Sequence, residues 1–398
     1  MMKKVVIVMI PFIAIVIVGI CLWQYQKDKK METEAIRLKE DLTVEFGEKV
    51  KISDFIENLE GNLVEDCEVN TEQLGETKVL FEYTNRKNKR KNAEFTVKII
   101  DTKPPQILSG NSYTVNLGYS KNLTDVLLSG DEVDDKPKRE IIGEYDVNQV
   151  GDYPLTYVVT DSSGNEAKKD FVLHVKEKEE EKKKPKKIDI ADVLREYKTE
   201  NTKIGIDVSK WQEEIDWQKV KNAGIEFAMI RIGYQTAYDG ECQLDPCFAA
   251  NIEGAKAAGI PVGVYFYSYA KNAKQAIEQA HWIKEHLQNA KLDLPIAFDW
   301  ENWNSFNQAG MSFYTLNKVA NVFLDTVQEL GYQGMLYSSK FYLEQIWEPI
   351  QYAVWLAQYN RKVTYEGEFS IWQMSESGRV DGIKNDVDLD VMYLKKQN

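Results

Sequence analysis

Two carboxylic acids that lie two residues apart give this 398-residue chain its strongest chemical signal. An otherwise apolar run, residues 295–301, ends in Asp299 and Glu301. Residues i and i+2 of a strand point to the same face, so the two carboxyls are expected to share one site. Their mutual repulsion would keep one proton on the pair at neutral pH. One protonated and one ionised carboxyl is the combination that cleaves a glycosidic bond.

Two further acids occupy comparable places in the sequence. Asp207 ends the apolar run 204–207, and Asp388 lies in the run 387–391 near the end of the chain. If these runs are the first and last strands of a closed barrel, they adjoin, and four acids ring one site. The alternative for each acid is a structural role, in which it caps a turn or neutralises an arginine.

Eight strand-like runs would position these acids, at residues 204–208, 227–232, 261–269, 295–300, 334–338, 352–358, 369–374 and 387–393. The early runs alternate with helical patterns at residues 216–222, 246–258, 273–289 and 312–330, whereas the later connections are short. Alternation of this kind predicts a modified parallel (β/α) barrel over residues 201–398, with eight strands and fewer helices than usual. In such barrels the chemistry lies at the C-terminal ends of the strands.

The remainder of the chain predicts a multidomain protein. Residues 5–23 carry no charge and are long enough to span a bilayer, so residues 1–30 are predicted to be a transmembrane anchor with its flanks. Lysines on both sides leave orientation by charge nearly balanced. The features of the C-terminal part favour a single-pass protein of the cell membrane whose C-terminal domains are extracellular, on the cell-wall side.

An internal repeat follows the predicted anchor. At an offset of 76 positions, Gln73, Gly75 and Phe81 align with Gln149, Gly151 and Tyr157, in a pattern of short alternating strands and turns. The repeat predicts two small antiparallel β-sandwich modules, at residues 31–101 and 102–176. Residues 177–200 begin with a run of Lys and Glu that cannot form a core, and they are predicted to be a charged linker.

Composition excludes several classes of partner and cofactor. A net charge of −13 disfavours nucleic acid, because phosphate binding needs clustered Lys and Arg. A zinc-dependent hydrolase needs histidine ligands that share a face, and the three histidines, His174, His281 and His286, do not provide them. We therefore expect no metal and no cofactor.

The ordered motifs of residues 203–394 resemble glycoside hydrolase family 25. They are GIDVS at 205–209, RIG at 231–233, VGVY at 262–265, DWE at 299–301, WLAQY at 355–359, IWQ at 371–373 and VDL at 387–389. The second repeat, residues 103–176, resembles bacterial immunoglobulin-like surface modules, and the first repeat departs further from that pattern. The family resemblance implies a lysozyme that cuts the β-1,4 bond between N-acetylmuramic acid and N-acetylglucosamine in peptidoglycan.

The resemblance also implies roles for individual residues. Glu301 would be the general acid and Asp299 the second catalytic carboxylate, acting either as nucleophile or by orienting the substrate's N-acetyl group. Asp207 and Asp388 would complete the acidic site. Residues that would line the cleft and contact sugar are Tyr265, Tyr267, Tyr337, Trp355, Gln358, Trp372 and Gln373. Two alternatives stay open: a chitinase-like enzyme, and a surface-anchored peptidoglycan-binding or adhesion protein without catalysis.

Overall fold

The computed structural model describes residues 36–178, 187–288 and 290–397. They divide into two compact units, of which the first ends at Lys103 and the second begins at Pro104. The predicted transmembrane segment, residues 5–23, lies outside the described residues, as do residues 179–186 of the charged linker. None of the helices within the described ranges has the length and apolar character needed to cross a membrane.

The first unit is all-β apart from a 3-10 turn at Ile52–Phe55. Its strands are β1 (Ile36–Leu38), β2 (Thr43–Glu45), β3 (Ile56–Leu59), β4 (Gly61–Leu63), β5 (Gly75–Asn85) and β6 (Arg90–Ile100). Strands β2-β6-β5-β4 form one sheet in that order, and β1 pairs with β3. Alternate residues of β5 are buried, as the period of a half-buried strand requires.

The second repeat, within the second unit, has the same arrangement. Its elements are β7 (Gln106–Ile107), β8 (Ser112–Asn116), α1 (Leu123–Val126), β9 (Ser129–Gly130), β10 (Lys138–Ile142), β11 (Gly151–Thr160) and β12 (Glu166–Lys176). Strands β10-β11-β12-β8 form one sheet, and β7 pairs with β9. Hereafter residues 104–176 are called the second module.

Both repeats depart from the purely antiparallel sheets that the sequence predicts. Strand β2 runs parallel to β6, and β8 runs parallel to β12. The prediction holds for the long hairpins β5–β6 and β11–β12, where a tight turn forces antiparallel pairing. It fails for β2 and β8 because each reaches its partner through a long connection, which permits either direction.

The elements that belong to the barrel begin at Ile188, so the C-terminal part of the predicted linker, residues 177–200, is folded against the barrel. Its strands are β13 (Ile188–Asp189), β14 (Thr202–Val208), β15 (Phe227–Gln235), β16 (Cys242–Leu244), β17 (Val262–Tyr267), β18 (Ile296–Asp299), β19 (Gly334–Ser339), β20 (Ala353–Ala357), β21 (Phe369–Arg379) and β22 (Val387–Gln397). Its helices are α2 (Ile190–Tyr197), α3 (Trp217–Asn222), α4 (Phe248–Ala257), α5 (Ala273–Leu287), α6 (Phe306–Ala309), α7 (Phe313–Glu329) and α8 (Lys340–Gln345). All eight predicted strands are present.

The eight strands close on themselves in the order β14-β15-β17-β18-β19-β20-β21-β22, because β22 pairs with both β21 and β14. The first seven strands are parallel to one another, but β22 is antiparallel to both β14 and β21. The prediction of a parallel barrel is therefore wrong for the last strand. The short connection from β21 to β22 carries no helix, so β22 returns directly in the opposite direction.

Side chains alternate between two apolar layers of the barrel. Inward-facing residues of six strands form a small interior cluster that includes Phe227, Met229, Tyr265, Met335 and Trp355. Their sequence neighbours face outward and pack under the helices in the main core. The interior cluster fills the barrel, so the polar inward positions above it form the floor of an open cleft.

Candidate active site

The cleft is a cavity of about 370 Å³ at the C-terminal ends of the parallel strands. Its lining comprises Asp207, Ser209, Trp211, Gln212, Arg231, Tyr265, Tyr267, Asp299, Glu301, Tyr337, Trp355, Gln373, Glu376, Asp386 and Asp388. Four of these fifteen side chains are Asp and two are Glu. Acidic side chains in this number at the mouth of a barrel define a site of concentrated negative charge.

Asp299 and Glu301 reach this cleft from one strand and its extension. Strand β18 ends at Asp299, which is 5% exposed, and Glu301 follows in the loop, where it is open to solvent. Trp300 between them points away and is completely buried in the main core. Among the described residues, Asp299 Oδ1 is buried without a hydrogen-bond partner. A buried acceptor left unpaired is costly, and because Asp299 lines the cavity, a substrate group is a possible partner for it.

The pKa values of Asp299 and Glu301 are both raised. For Asp299 the largest cause is burial, followed by repulsion from Glu301 and Asp207, while Arg231 opposes the rise. For Glu301, whose side chain is exposed but whose carboxyl is crowded by cleft residues, the largest cause is partial loss of water; the nearby Tyr337 hydroxyl opposes the rise, and repulsion from Glu376 adds to it. The pair therefore retains a proton at a pH at which two isolated carboxyls would be ionised.

Asp207 and Asp388 face each other across the seam of the barrel. They are direct partners in the register of β14 and β22, and Gln373 donates from Nε2 to both carboxylates, at 2.8 Å and 3.1 Å. Burial and repulsion from Asp207 raise the pKa of Asp388 to about 9. Burial and repulsion from Asp390 likewise raise the pKa of Asp207. All four predicted acids thus line one cavity.

Asp388 enters the cleft from an unexpected end of its strand. The sequence places Asp388 on the last strand by analogy with Asp207, which lies at a C-terminal end. Because β22 is antiparallel, its beginning lies at the cleft, and Asp388 is its second residue. The acid is therefore where the prediction puts it, although the strand direction is reversed.

Arg231 is the only Lys or Arg side chain in the cavity lining. It extends from β15, is 9% exposed, and forms an ion pair with the buried Asp245 at 2.7 Å. Its guanidinium favours the ionised form of Asp299. A single cation among six acids offsets only part of the repulsion between them, so the site keeps its affinity for protons.

Five of the seven predicted sugar-contacting residues line the cavity: Tyr265, Tyr267, Tyr337, Trp355 and Gln373. Trp355 packs edge-on against Tyr337 and Tyr265, with ring centroids at 4.7 Å and 5.8 Å, and donates from Nε1 to Asp390. Tyr267 donates its hydroxyl hydrogen to Asn302 Oδ1. These rings are fixed by packing before any ligand enters.

Gln358 and Trp372 lie outside the cavity lining. Trp372 points to the outer face of β21, where it is 1% exposed and packs against Tyr197 of α2. Its neighbour Gln373 points inward, as strand alternation requires. Gln358 follows the end of β20 and folds back on Thr364 through two hydrogen bonds. Trp372 therefore stabilises the barrel wall and Gln358 stabilises a loop, and neither forms part of the cavity surface.

Six cavity residues lack an assigned role in the sequence interpretation: Ser209, Trp211, Gln212, Arg231, Glu376 and Asp386. The inward period of β15 points to Arg231, because Phe227, Met229 and Arg231 alternate on one face. Trp211 is 66% exposed at the rim, and a rim loop carries no periodic signal. Glu376 comes from β21 beyond a shift in register, where alternation no longer predicts which side a residue faces.

A cleft of this kind, with paired carboxyls of raised pKa at the top of a filled barrel, is characteristic of enzymes that cleave glycosidic bonds. Comparison with known proteins gives the same class. The model of glycosyl hydrolases family 25 matches residues 206–383.

The relatives align with the same part of the chain. The uncharacterized protein YegX of Escherichia coli K12 is 30% identical over 192 residues, which are 47% of this chain and 68% of that protein. An autolytic lysozyme of Clostridium acetobutylicum is 27% identical over 189 residues, 47% of this chain and 54% of that one. Among solved structures, the modular autolysin LytC of Streptococcus pneumoniae is 28% identical with a TM-score of 0.44, covering 60% of this chain and 56% of LytC. The chain belongs to glycosyl hydrolase family 25 and is a glycoside hydrolase.

Proposed function

We propose that this protein is a muramidase, which hydrolyses the β-1,4 bond between N-acetylmuramic acid and N-acetylglucosamine in peptidoglycan. The observation that carries the proposal is the convergence of Asp299 and Glu301 in one cleft with a shared affinity for a proton. The lysozyme among the relatives supports peptidoglycan as the substrate. The open form of the cleft suits a long glycan strand.

In this proposal Glu301 is the general acid. Its carboxyl faces the open cleft, so it can reach the oxygen of the departing sugar, and its raised pKa favours the protonated form that a general acid needs. When the bond breaks, Glu301 gives its proton to that oxygen. It then takes a proton from the incoming water, which restores the starting state.

Asp299 supports the positive charge that develops at the anomeric carbon. Its unpaired Oδ1 is available either to attack that carbon or to accept a hydrogen bond from the N–H of the substrate's N-acetyl group, whose carbonyl oxygen would then attack. Deep burial leaves this oxygen little room to move, so both routes require the substrate to approach Asp299. Asp207, Asp388 and Gln373 form the opposite wall, where they position the sugar.

The same proposal covers the cellular context. Residues 5–23 would anchor the chain in the cytoplasmic membrane with the barrel on the outer side, where peptidoglycan lies. The two β repeats would be immunoglobulin-like modules that carry the catalytic domain away from the membrane surface. Protease protection of the N-terminus in intact protoplasts, with digestion of the barrel from outside, would test this orientation.

The activity is tested with Glu301→Gln in the full chain. Removal of a general acid typically costs about a hundredfold or more, so release of reducing ends from purified peptidoglycan should fall by at least that factor. Binding to insoluble peptidoglycan should persist, because the amide keeps the shape of the side chain. Mass spectrometry of the wild-type fragments should show N-acetylmuramic acid at the reducing end.

Three outcomes would contradict the proposal in different ways. Fragments that end in N-acetylglucosamine would indicate a different bond. Cleavage of chitin oligomers at the same rate would favour a chitinase-like enzyme. Equal and negligible hydrolysis by the wild type and Glu301→Gln, with binding retained, would identify a peptidoglycan-binding protein. Glu329→Gln, on the outer surface of α7, is the matched control and should be fully active.

A further inference from the structure

The second module packs directly against the loop that follows Glu301. Helix α1 and strand β9 of the module contact residues 303–309 of the barrel, including α6. Leu128 of the module is 9% exposed and belongs to the main core cluster of the barrel. The module therefore shares a hydrophobic core with the catalytic domain, which a freely hinged spacer would not do.

Asn307 connects the two parts through its side chain. Its Nδ2 donates to the backbone oxygens of Thr124 and Leu127, at 2.7 Å and 2.8 Å, and its Oδ1 accepts from the backbone N–H of Ser129. The two carbonyls lie at the C-terminal end of α1, where helix carbonyls lack intrahelical partners. One barrel side chain thus satisfies three backbone groups of the module.

A buried polar network continues from Asn307 into the module. The hydroxyls of Ser129 and Tyr157, both at most 1% exposed, lie 2.8 Å apart, and Arg139 donates from Nε to Ser129 Oγ. Tyr157 belongs to the module's own hydrophobic core. The contact therefore extends into the interior of the module.

The module also caps helix α7 of the barrel. Asp135 Oδ1 accepts from the backbone N–H of Ser312 at 2.7 Å, and the backbone oxygen of Asp131 accepts from Phe313 N–H at 2.8 Å. An acid at the N-terminus of a helix of 17 residues is stabilising, because the N–H groups there are unpaired and the helix dipole is positive. Here another part of the chain supplies the acid.

The interface leaves no spare room. A Cβ added at Gly130 would lie 2.5 Å from Phe313 and 2.9 Å from Phe306. Phe306 in turn packs against Trp303 and Trp300, the residue before Glu301. A continuous line of packed rings thus runs from the module surface to the residue adjoining the general acid of the proposed function.

We propose that the second module is a fixed part of the catalytic unit, which holds the loop of residues 300–312 in its active conformation, and that Asn307 is the positioning residue at this contact. The loop carries Glu301 at its start and is secured at its far end by Asn307 and Asp135. Asn302, inside the loop, is fixed separately by Tyr267 and the backbone oxygen of Ser268. The proposal rests on the proposed function for its kinetic consequence.

The test compares full-chain variants on soluble peptidoglycan fragments. A small displacement of a catalytic group costs up to about a hundredfold, so Asn307→Ala should lower kcat about tenfold or more with KM within about twofold. Asp135→Ala alters a residue of the second module and leaves the barrel sequence unchanged. It should also lower kcat, by a smaller factor than Asn307→Ala. Asp146→Ala is the matched control, because its carboxylate accepts only from the nearby Asn148 N–H on the exposed surface.

Hydrogen exchange separates a positioning role from general destabilisation. Amides of residues 300–312 should exchange faster in Asn307→Ala and Asp135→Ala, whereas those of β14 and β20 should not change. Wild-type kcat in both variants, with or without faster exchange in the loop, would overturn the proposal. So would uniformly faster exchange across the barrel. If the wild type releases no fragments, the proposed function fails, and the exchange pattern alone decides whether the module holds the loop.

Discussion

The side-chain amide of Gln373 donates to Oδ2 of Asp207, a residue 166 positions earlier in the chain, at 2.8 Å. The same nitrogen donates to Asp388, while Gln373 Oε1 accepts from the hydroxyls of Tyr337 and Tyr359. A neutral side chain therefore connects two acids with two phenols. It orders one wall of the cleft without adding charge, and its hydrogen bond offsets only part of the rise in the pKa of Asp207 that burial and Asp390 cause.

Gln373→Ala should reduce activity without unfolding the barrel. Two carboxyls would lose their shared donor and two tyrosines their shared acceptor, so kcat should fall about tenfold to a hundredfold. Initial rates on purified peptidoglycan measure the effect. Gln358→Ala is the control, because the side chain of Gln358 hydrogen-bonds to Thr364 outside the cavity, and the variant should keep at least about half of the activity. Equal losses in both variants would contradict the role of Gln373.

Glu376→Gln should move the alkaline limb of the pH–rate profile to lower pH. Glu376 raises the pKa of Glu301 by repulsion, so its removal lets the general acid lose its proton at a lower pH. Glu376 is exposed, and the shift should be about half a unit or less and should shrink in high salt. The profile of kcat/KM at two salt concentrations measures it. A shift to higher pH would show that the sign is wrong.

Asp388→Asn should stabilise the protein above pH 4. Burial raises the pKa of Asp388 from 3.8 to about 9, so the folded state binds a proton that the unfolded state has released. Stability from this group is complete below its unfolded pKa and is lost as the pH rises towards 9. Asparagine does not ionise, so it avoids this loss of stability. The free energy of unfolding of the variant should exceed that of the wild type by at least about 1 kcal/mol at pH 8 and should equal it at pH 3.

Urea unfolding of wild type and Asp388→Asn at pH 3, 5 and 8 measures that difference. The variant should also lose activity, because stabilised active sites commonly lose function. Asp386→Asn serves as the control: Asp386 lies on the same rim but forms an ion pair with Lys187, so its amide should not stabilise the fold. If Asp388→Asn is no more stable than the wild type at pH 8, the prediction is contradicted.

Trp211→Ala should weaken substrate binding and leave the chemical step intact. The indole is 66% exposed at the cleft rim, and the Lys210 ammonium lies 5.0 Å from its ring centroid. An exposed aromatic face beside a glycan cleft offers a stacking surface worth roughly 1 kcal/mol, which corresponds to about a fivefold rise in KM. Steady-state kinetics with soluble fragments test this. A fall in kcat at unchanged KM would place Trp211 in a different role.

The barrel could be predicted from the sequence because its strands are short apolar runs, and the early ones alternate with helical patterns. The four acids could be placed in one cleft because Asp207 and Asp299 end such runs, and because a closed barrel brings its first and last strands together. The direction of β22 could not be predicted, because a strand that is buried on both faces has the same apolar sequence pattern whether it runs parallel or antiparallel to its neighbours. The outward position of Trp372 depends on register, and one residue of slip exchanges it with Gln373.

The contacts between the second module and the barrel carry almost no sequence signal. Asn307 lies about 180 residues from its partners, and an asparagine in a loop normally indicates a turn. The acidic run of residues 131–135 suggests a solvated loop, yet Asp135 caps a helix of another domain. Interactions of this kind depend on tertiary placement, which periodicity does not encode.

The reversed direction of β22 determines where the polypeptide leaves the barrel. The strand starts beside the acids and runs down the wall, so its last residues emerge on the face away from the glycan groove. A fluorophore or solid support attached after Lys395 would leave the groove free for polymer. Immobilisation through that position should therefore preserve turnover on intact sacculi.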